Sequence, residues 1–270
     1  MSMIRPIPFV VLALGLAAVG CEEPLSAEQL ADIAEAKLDV PVETEDIVIG
    51  EGPPAKEADR LFIEYVGMYP DSRTVFDRND NKDKDGNPVK PPYDFVLGAA
   101  EVIPGWEEGI EGMRVGGERI LLIPWQKAYG LEGKDSIDGK MNLRFEVKLL
   151  DIVRPDERDI YDVEDLKVGT GREVKEGDRI AIHYRGTYAN GMRFDDSRER
   201  GEEEGGEPLD FTVGLGHVIA GIDVGVRGMR VGGIRRLRLP AALVFGSKGM
   251  TVIKGDQVCY FEIELLGIKE

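Results

Sequence analysis

The segment Val102 to Pro124, VIPGWEEGIEGMRVGGERILLIP, returns as VIAGIDVGVRGMRVGGIRRLRLP at Val218 to Pro240. The offset is 116 residues, and it also relates Phe145 to Phe261. Solenoid units repeat every 20–50 residues or so, which makes this a duplicated domain. A chain of 270 residues accommodates two such domains, each able to bury a core of its own. Residues shared by the copies serve the fold, while unshared ones are free to differ in function. The first domain is expected over 42–153 and the second over 154–270, opened by the charged linker Arg154 to Asp159.

The formal charge of −17 speaks against a nucleic-acid partner, because phosphates are bound through lysine and arginine. The cluster Arg227, Arg230, Arg235, Arg236 and Arg238 reads as solvated strand and turn positions. Two histidines with no Cys/His cluster argue against a zinc site, and no cofactor is expected.

Residues 1–20 read as a signal peptide. Arg5 precedes the apolar run Ile7 to Val19, which is short for a membrane span and ends in Leu16-Ala17-Ala18-Val19-Gly20-Cys21. The pattern resembles the bacterial lipoprotein signal, which implies lipidation of Cys21 and anchorage in the cell envelope. The periplasmic side of the outer membrane is favoured by Glu22. Ordinary signal cleavage is the alternative. Residues 21–41 would be an acidic tether, with Ser26 capping a helix before Leu30, Ile33 and Leu38, and Pro41 ending it. With Cys21 acylated, the other cysteine, Cys259, has no disulfide partner and reads as a small buried hydrophobe.

Within each copy the signals are mostly those of strands. Arg60 to Val66 and Arg179 to Tyr184 are β-rich runs ending at Gly67 and Gly186. Ile120 to Ile123 and Leu143 to Leu149 are two more, matched by Leu237 to Leu239 and Tyr260 to Leu265. One short helix is expected from Trp106 to about Met113, opened by Pro104 and Gly105 and closed by Gly116-Gly117. One helix against several antiparallel strands is an α+β architecture.

Tyr65-x-Gly67, Phe76-Asp77, Phe95-x-Leu97-Gly98, Glu101 to Trp106, Ala128-Tyr129-Gly130 and Phe145-Glu146-Val147-x-Leu149 occur in order over about a hundred residues. This string closely resembles the FKBP family, the macrolide-binding peptidyl-prolyl cis-trans isomerases, and the resemblance covers both copies. It implies a bent antiparallel sheet wrapped around one short helix, proline-containing polypeptide clients and macrolide inhibitors. In the first domain it places Tyr65, Phe76, Trp106 and Phe145 around a proline ring, with Trp106 as the floor and Tyr93, Val102 and Ile103 as walls. The Ile103 N–H and the Tyr129 hydroxyl would hold substrate carbonyls. Asp77 would face the twisting amide, and Ile137 would lie in the covering loop.

The second copy keeps Tyr184, Phe194, Asp195, Val218, Ile219 and Phe261, but Ile222 stands at the floor and Phe245 in place of the tyrosine. Leu209 replaces Tyr93 and His217 replaces Glu101. The first domain is therefore expected to be the better isomerase and the second a partly degenerate copy. A non-catalytic peptide-binding chaperone and a structural assembly lipoprotein remain as alternatives. Asn81 to Gly86 fits the opening of a calcium loop but has Pro92 at its twelfth position, so a solvated loop is the plainer reading. Gly201 to Glu207 reads as an acidic loop.

Overall fold

The computed structural model describes residues 25–156, 161–201, 206–250, 253 and 255–269. Cys21 and the signal-like run lie outside them, as does part of the charged linker. Residues through Lys37 form a unit of their own. Its helix α1, Ala27–Ala36, opens with a capping box in which Ser26 and Gln29 satisfy each other's backbone N–H groups. The helix stops at Lys37, short of the Pro41 that the sequence suggests.

The unit from Leu38 to Glu270 holds two six-stranded antiparallel sheets. The first comprises β1 (Glu43–Val48), β2 (Arg60–Met68), β3 (Val75–Arg78), β4 (Tyr93–Val96), β5 (Glu118–Ile123) and β6 (Leu143–Val153). It is ordered β1-β5-β6-β2-β3, with β4 also paired to β2. The second comprises β7 (Asp162–Lys167), β8 (Arg179–Tyr188), β9 (Arg193–Asp196), β10 (Leu209–Thr212), β11 (Ile234–Leu239) and β12 (Cys259–Lys269). Its order is β10-β8-β12-β11-β7, with β9 on β8. Each sheet carries one short helix, α2 (Pro104–Ile110) and α3 (Ala220–Gly225).

Helix α2 starts two residues before the expected Trp106 and ends at Ile110. The chain then turns at Gly112 with φ at +76°, ahead of the glycine pair thought to stop it. Strand β2 runs through Gly67 to Met68, and β8 runs through Gly186 to Tyr188. These glycines are therefore interior strand positions with a packing reason, given below. Alternation along β2 and β6 sends Leu61, Ile63, Phe145, Val147 and Leu149 inward, where they meet Leu121, Trp106 and Ile110 in one core. The second core repeats the arrangement with Ile180, Ile182, Phe261, Ile263, Leu237 and Ile222.

The outer strands β1 and β7 are exposed along their whole length and rich in acids, and each is paired on one side only. Arg119 pairs with Asp46 on β1, and Arg235 with Asp165 on β7. Arg235 is buried and donates to the Gly225 and Arg227 carbonyls at the end of α3. Arg238 is largely buried against Asp151. These two arginines thus depart from the solvated role expected of them, because each meets an aspartate and at least one backbone carbonyl.

The sheets meet through Phe62, Val153 and Val258, all buried together. Around that contact the Gln257 amide donates to Asp94 at 2.7 Å, and Asn190 donates to the Lys90 carbonyl at 2.8 Å. Cys259 is fully buried, and burial pushes its thiol up to about 12.

Candidate active site

In the first sheet β2, β3, β4, β6 and the start of α2 converge on a cavity of about 480 Å3. Gly67 lies opposite Phe145 in the β2–β6 register. A Cβ on it would come within 2.7 Å of both the Phe145 and Phe76 rings, so only glycine lets those rings lie against the strand. Gly105 does the same for α2, where a Cβ would sit 2.3 Å from Ile123. The helix therefore settles on β5 and sets Trp106 into the core, 5 % exposed.

Trp106 is ringed by aromatic neighbours. Ring centroids lie 5.1 Å away at Tyr65, 5.8 Å at Tyr93 and 5.2 Å at Phe145, all near perpendicular, the edge-to-face arrangement that aromatic quadrupoles favour. Phe76 stands edge-on to Phe145 at 5.6 Å. The Tyr65 hydroxyl donates to Asp77 Oδ2 at 2.6 Å, and the Arg78 N–H donates to Asp77 Oδ1 at 2.8 Å. Burial, reinforced by Asp77, raises the Tyr65 hydroxyl well above the usual tyrosine value. Burial also raises Tyr93 and Tyr129, with nearby carboxylates adding to the effect. All three hydroxyls are thus hydrogen-bond donors at neutral pH.

The residues singled out from the sequence converge with one exception. Tyr65, Phe76, Asp77, Tyr93, Val102, Ile103, Trp106, Tyr129 and Phe145 all line the cavity. Ile137 is 8 % exposed and packs in the adjoining core, where it pairs with Lys134 in an isolated bridge. Glu101, Pro104 and Lys134 also line the cavity, without having been assigned a role. Glu101 was visible directly before Val102, whereas Lys134 sits in a turn-rich stretch with no periodic signal. Among the described residues the lining contains no serine, cysteine or histidine. What it offers is an apolar aromatic box with a few directed polar groups at its mouth.

A further cavity of about 450 Å3 lies across the outer face of the same sheet, walled by Glu64, Glu118, Glu146 and Lys148. It is charged and lacks the aromatic box. The Asn81 to Gly86 loop folds on itself: Asp83 accepts from the Asp85 and Asn87 N–H groups at 2.9 Å each. Among the described residues no three His, Cys, Asp or Glu side chains are grouped to hold a metal.

The second copy repeats the frame. A Cβ on Gly186 would lie 2.4 Å from Phe194 and 3.1 Å from Phe261, and Tyr184 donates to Asp195 Oδ2 at 2.6 Å. Ile222 is buried where the first copy has its indole, and Val218, Ile219 and Phe245 pack against the same core. One residue has no counterpart in the first cavity. Arg200 grips both oxygens of Asp195 and lies 5.6 Å above the Tyr184 ring.

A model of the FKBP-type peptidyl-prolyl cis-trans isomerase family matches residues 52–150 and again 170–266, one match on each sheet. The chain belongs to this family. It is 36 % identical over 213 residues to the mouse peptidyl-prolyl cis-trans isomerase FKBP9, covering 77 % of this chain and 35 % of that protein. Against human FKBP10 the identity is 30 % over 241 residues, 88 % of this chain and 39 % of the relative. The FK506-binding protein 4 of Neurospora crassa is 44 % identical over 107 residues, 40 % of this chain and 22 % of the relative. The chain spans about a third of the length of FKBP9.

Proposed function

We propose that the chain accelerates cis–trans isomerisation of Xaa–Pro bonds, chiefly in its first FKBP domain, as a folding catalyst anchored to the bacterial cell envelope through Cys21. The observation that carries the catalytic part is the aromatic cavity closed by Trp106, with the Tyr65–Asp77 pair at its mouth.

Rotation about the peptide C–N bond meets a barrier of about 18–20 kcal/mol, since the planar amide has double-bond character. No bond is made or broken, so the reaction asks for no nucleophile or redox group. The twisted amide loses resonance and part of its dipole, and an apolar box that holds the ring in that state binds it better than the planar one. Lowering the barrier by about 4 kcal/mol accelerates the reaction roughly a thousandfold. In this reading the pyrrolidine ring sits on Trp106, walled by Tyr65, Phe76 and Phe145. The Ile103 N–H and Tyr129 hydroxyl hold carbonyls on either side, and Asp77 faces the rotating amide. FK506 would compete for the same cavity.

The second domain, with Ile222 at the floor and Phe245 lacking a hydroxyl, serves this reading as a weaker site that grips proline-containing segments. The envelope assignment rests on the sequence before Cys21; the relatives quoted above are animal and fungal. The decisive test is isomerisation of a Xaa–Pro peptide by the full chain beside Asp77→Ala and Phe145→Ala. Loss of most turnover in both supports the first pocket, and undiminished turnover in both overturns it. Labelling with a radioactive fatty acid that disappears in Cys21→Ser supports the anchor, and equal labelling of the variant removes it.

A further inference from the structure

The two pockets carry the same aspartate at the same place and treat its charge in opposite ways. Asp195 is clamped by the guanidinium of Arg200, five residues further on. Among the described residues Asp77 takes the Tyr65 hydroxyl and the Arg78 N–H, neither of them a cation. The nearest arginine in sequence, Arg78, turns its guanidinium onto Asp80 at 2.6 and 2.8 Å. Five residues past Asp77 stands Lys82, which lines the outer-face cavity. Among the described residues, neither Arg78 nor Lys82 therefore neutralises Asp77 as Arg200 does Asp195.

A second carboxylate joins the first. Glu101 lines the same cavity, its Oε2 accepting from the Val96 N–H at 3.0 Å, while the second copy has His217 at that position. Asp77 and Glu101 are both exposed at the mouth. Their field reaches inward: Tyr93 is raised by burial and then by Asp94, Glu101 and Asp77, and Tyr129 by burial and then by Asp77. Among the described residues of the lining Lys134 is the single cation, stacked 5.6 Å from the Tyr129 ring centroid.

We propose that this uncapped pair, Asp77 and Glu101, makes the first pocket selective for prolyl segments carrying lysine or arginine beside the proline, and that the second pocket lacks this preference. The inference rests on the isomerase reading of the cavity. Exposed charge pairs contribute modestly, so two of them favour a Lys–Pro over a Glu–Pro peptide by about fivefold at low salt. Screening above roughly 0.5 M salt removes most of that.

The test uses the full chain carrying Trp125→Phe, which leaves Trp106 as the sole tryptophan and so an optical reporter of the first pocket alone. Peptides Ala-Xaa-Pro-Phe with Lys, Leu or Glu at Xaa are titrated by tryptophan fluorescence, and their kcat/KM is measured in parallel. Affinity in the order Lys, Leu, Glu, compressed by salt and by Glu101→Gln, supports the proposal. The glutamine keeps the acceptor for Val96 and removes only the charge. Equal affinities with turnover intact overturn the selectivity and leave the isomerase standing. Binding in that order without turnover upholds the selectivity and removes the isomerase. No fluorescence response and no turnover with any peptide overturns both.

Discussion

Arg238 on β11 holds both carboxylate oxygens of Asp151, on β6, at 3.0 Å each, and the Tyr260 hydroxyl reaches the same Asp151 at 2.5 Å. Arg238 also donates to the Ile152 carbonyl at 2.8 Å. A cation of the second sheet is thereby kept out of water by a partner in the first. Removing that partner leaves the charge buried and unpaired, so Asp151→Ala should cost about 3–5 kcal/mol. Urea unfolding followed by circular dichroism measures it, and a loss below about 1 kcal/mol would show that water takes over the guanidinium.

Gly67 and Gly86 make a matched pair of tests. Gly67→Ala forces a methyl group toward the Phe145 and Phe76 rings, at a cost of about 1–3 kcal/mol. The displaced box should lower kcat/KM by about tenfold to a hundredfold. Gly86→Ala strains a positive φ in open space, costs about 1 kcal/mol and should leave turnover alone. Equal effects on turnover would contradict the role given to Gly67.

Tyr129→Phe imports the second copy's residue into the first pocket. The loss of one hydrogen bond is worth about 1 kcal/mol, hence about a fivefold drop in kcat/KM with the fold intact. Steady-state kinetics beside an unchanged unfolding midpoint checks both halves of the statement.

Alkaline pH offers a different handle. Burial raises Tyr188 to about 12, and burial together with a neighbouring aspartate raises Tyr65, Tyr184 and Tyr260 further. Unfolded tyrosines ionise near pH 10, so above that the unfolded chain sheds protons that the folded chain keeps. Stability from these groups is complete below about pH 10 and declines as pH rises through their folded values. The urea midpoint should hold level up to about pH 9.5 and fall beyond it. If all eight tyrosines titrated at the ordinary value in the folded protein, this account would be wrong.

How far the sequence could be read depended on which residues carry a pattern. Of the buried strands, β6 announces itself through alternating apolar residues and β2 and β5 through short continuous β-rich runs, and their counterparts do so through the repeat. The aromatic box was legible because its members recur in a fixed order. Strands β1 and β7 were not, since all their side chains face solvent and no alternation marks them. Gly67 and Gly186 were taken for strand ends, because a glycine in sequence does not reveal the ring that needs its space. Arg235 and Arg238 looked solvated because their aspartate partners lie 70 and 87 residues away. The Arg200 clamp was missed for a local reason, lying just before the acidic Glu202 to Glu204 run that drew the segment's reading as a loop.

Strands β1 and β7, Glu-Thr-Glu-Asp-Ile-Val and Asp-Val-Glu-Asp-Leu-Lys, gain a further meaning under the folding activity proposed above. Each ends a sheet, where unpaired backbone groups would recruit any extended chain drifting past. A protein that handles half-folded polypeptides meets such chains constantly. Acidic side chains along both borders make them poor templates, so under that proposal a client would surrender its proline to the pocket without being zipped onto the sheet.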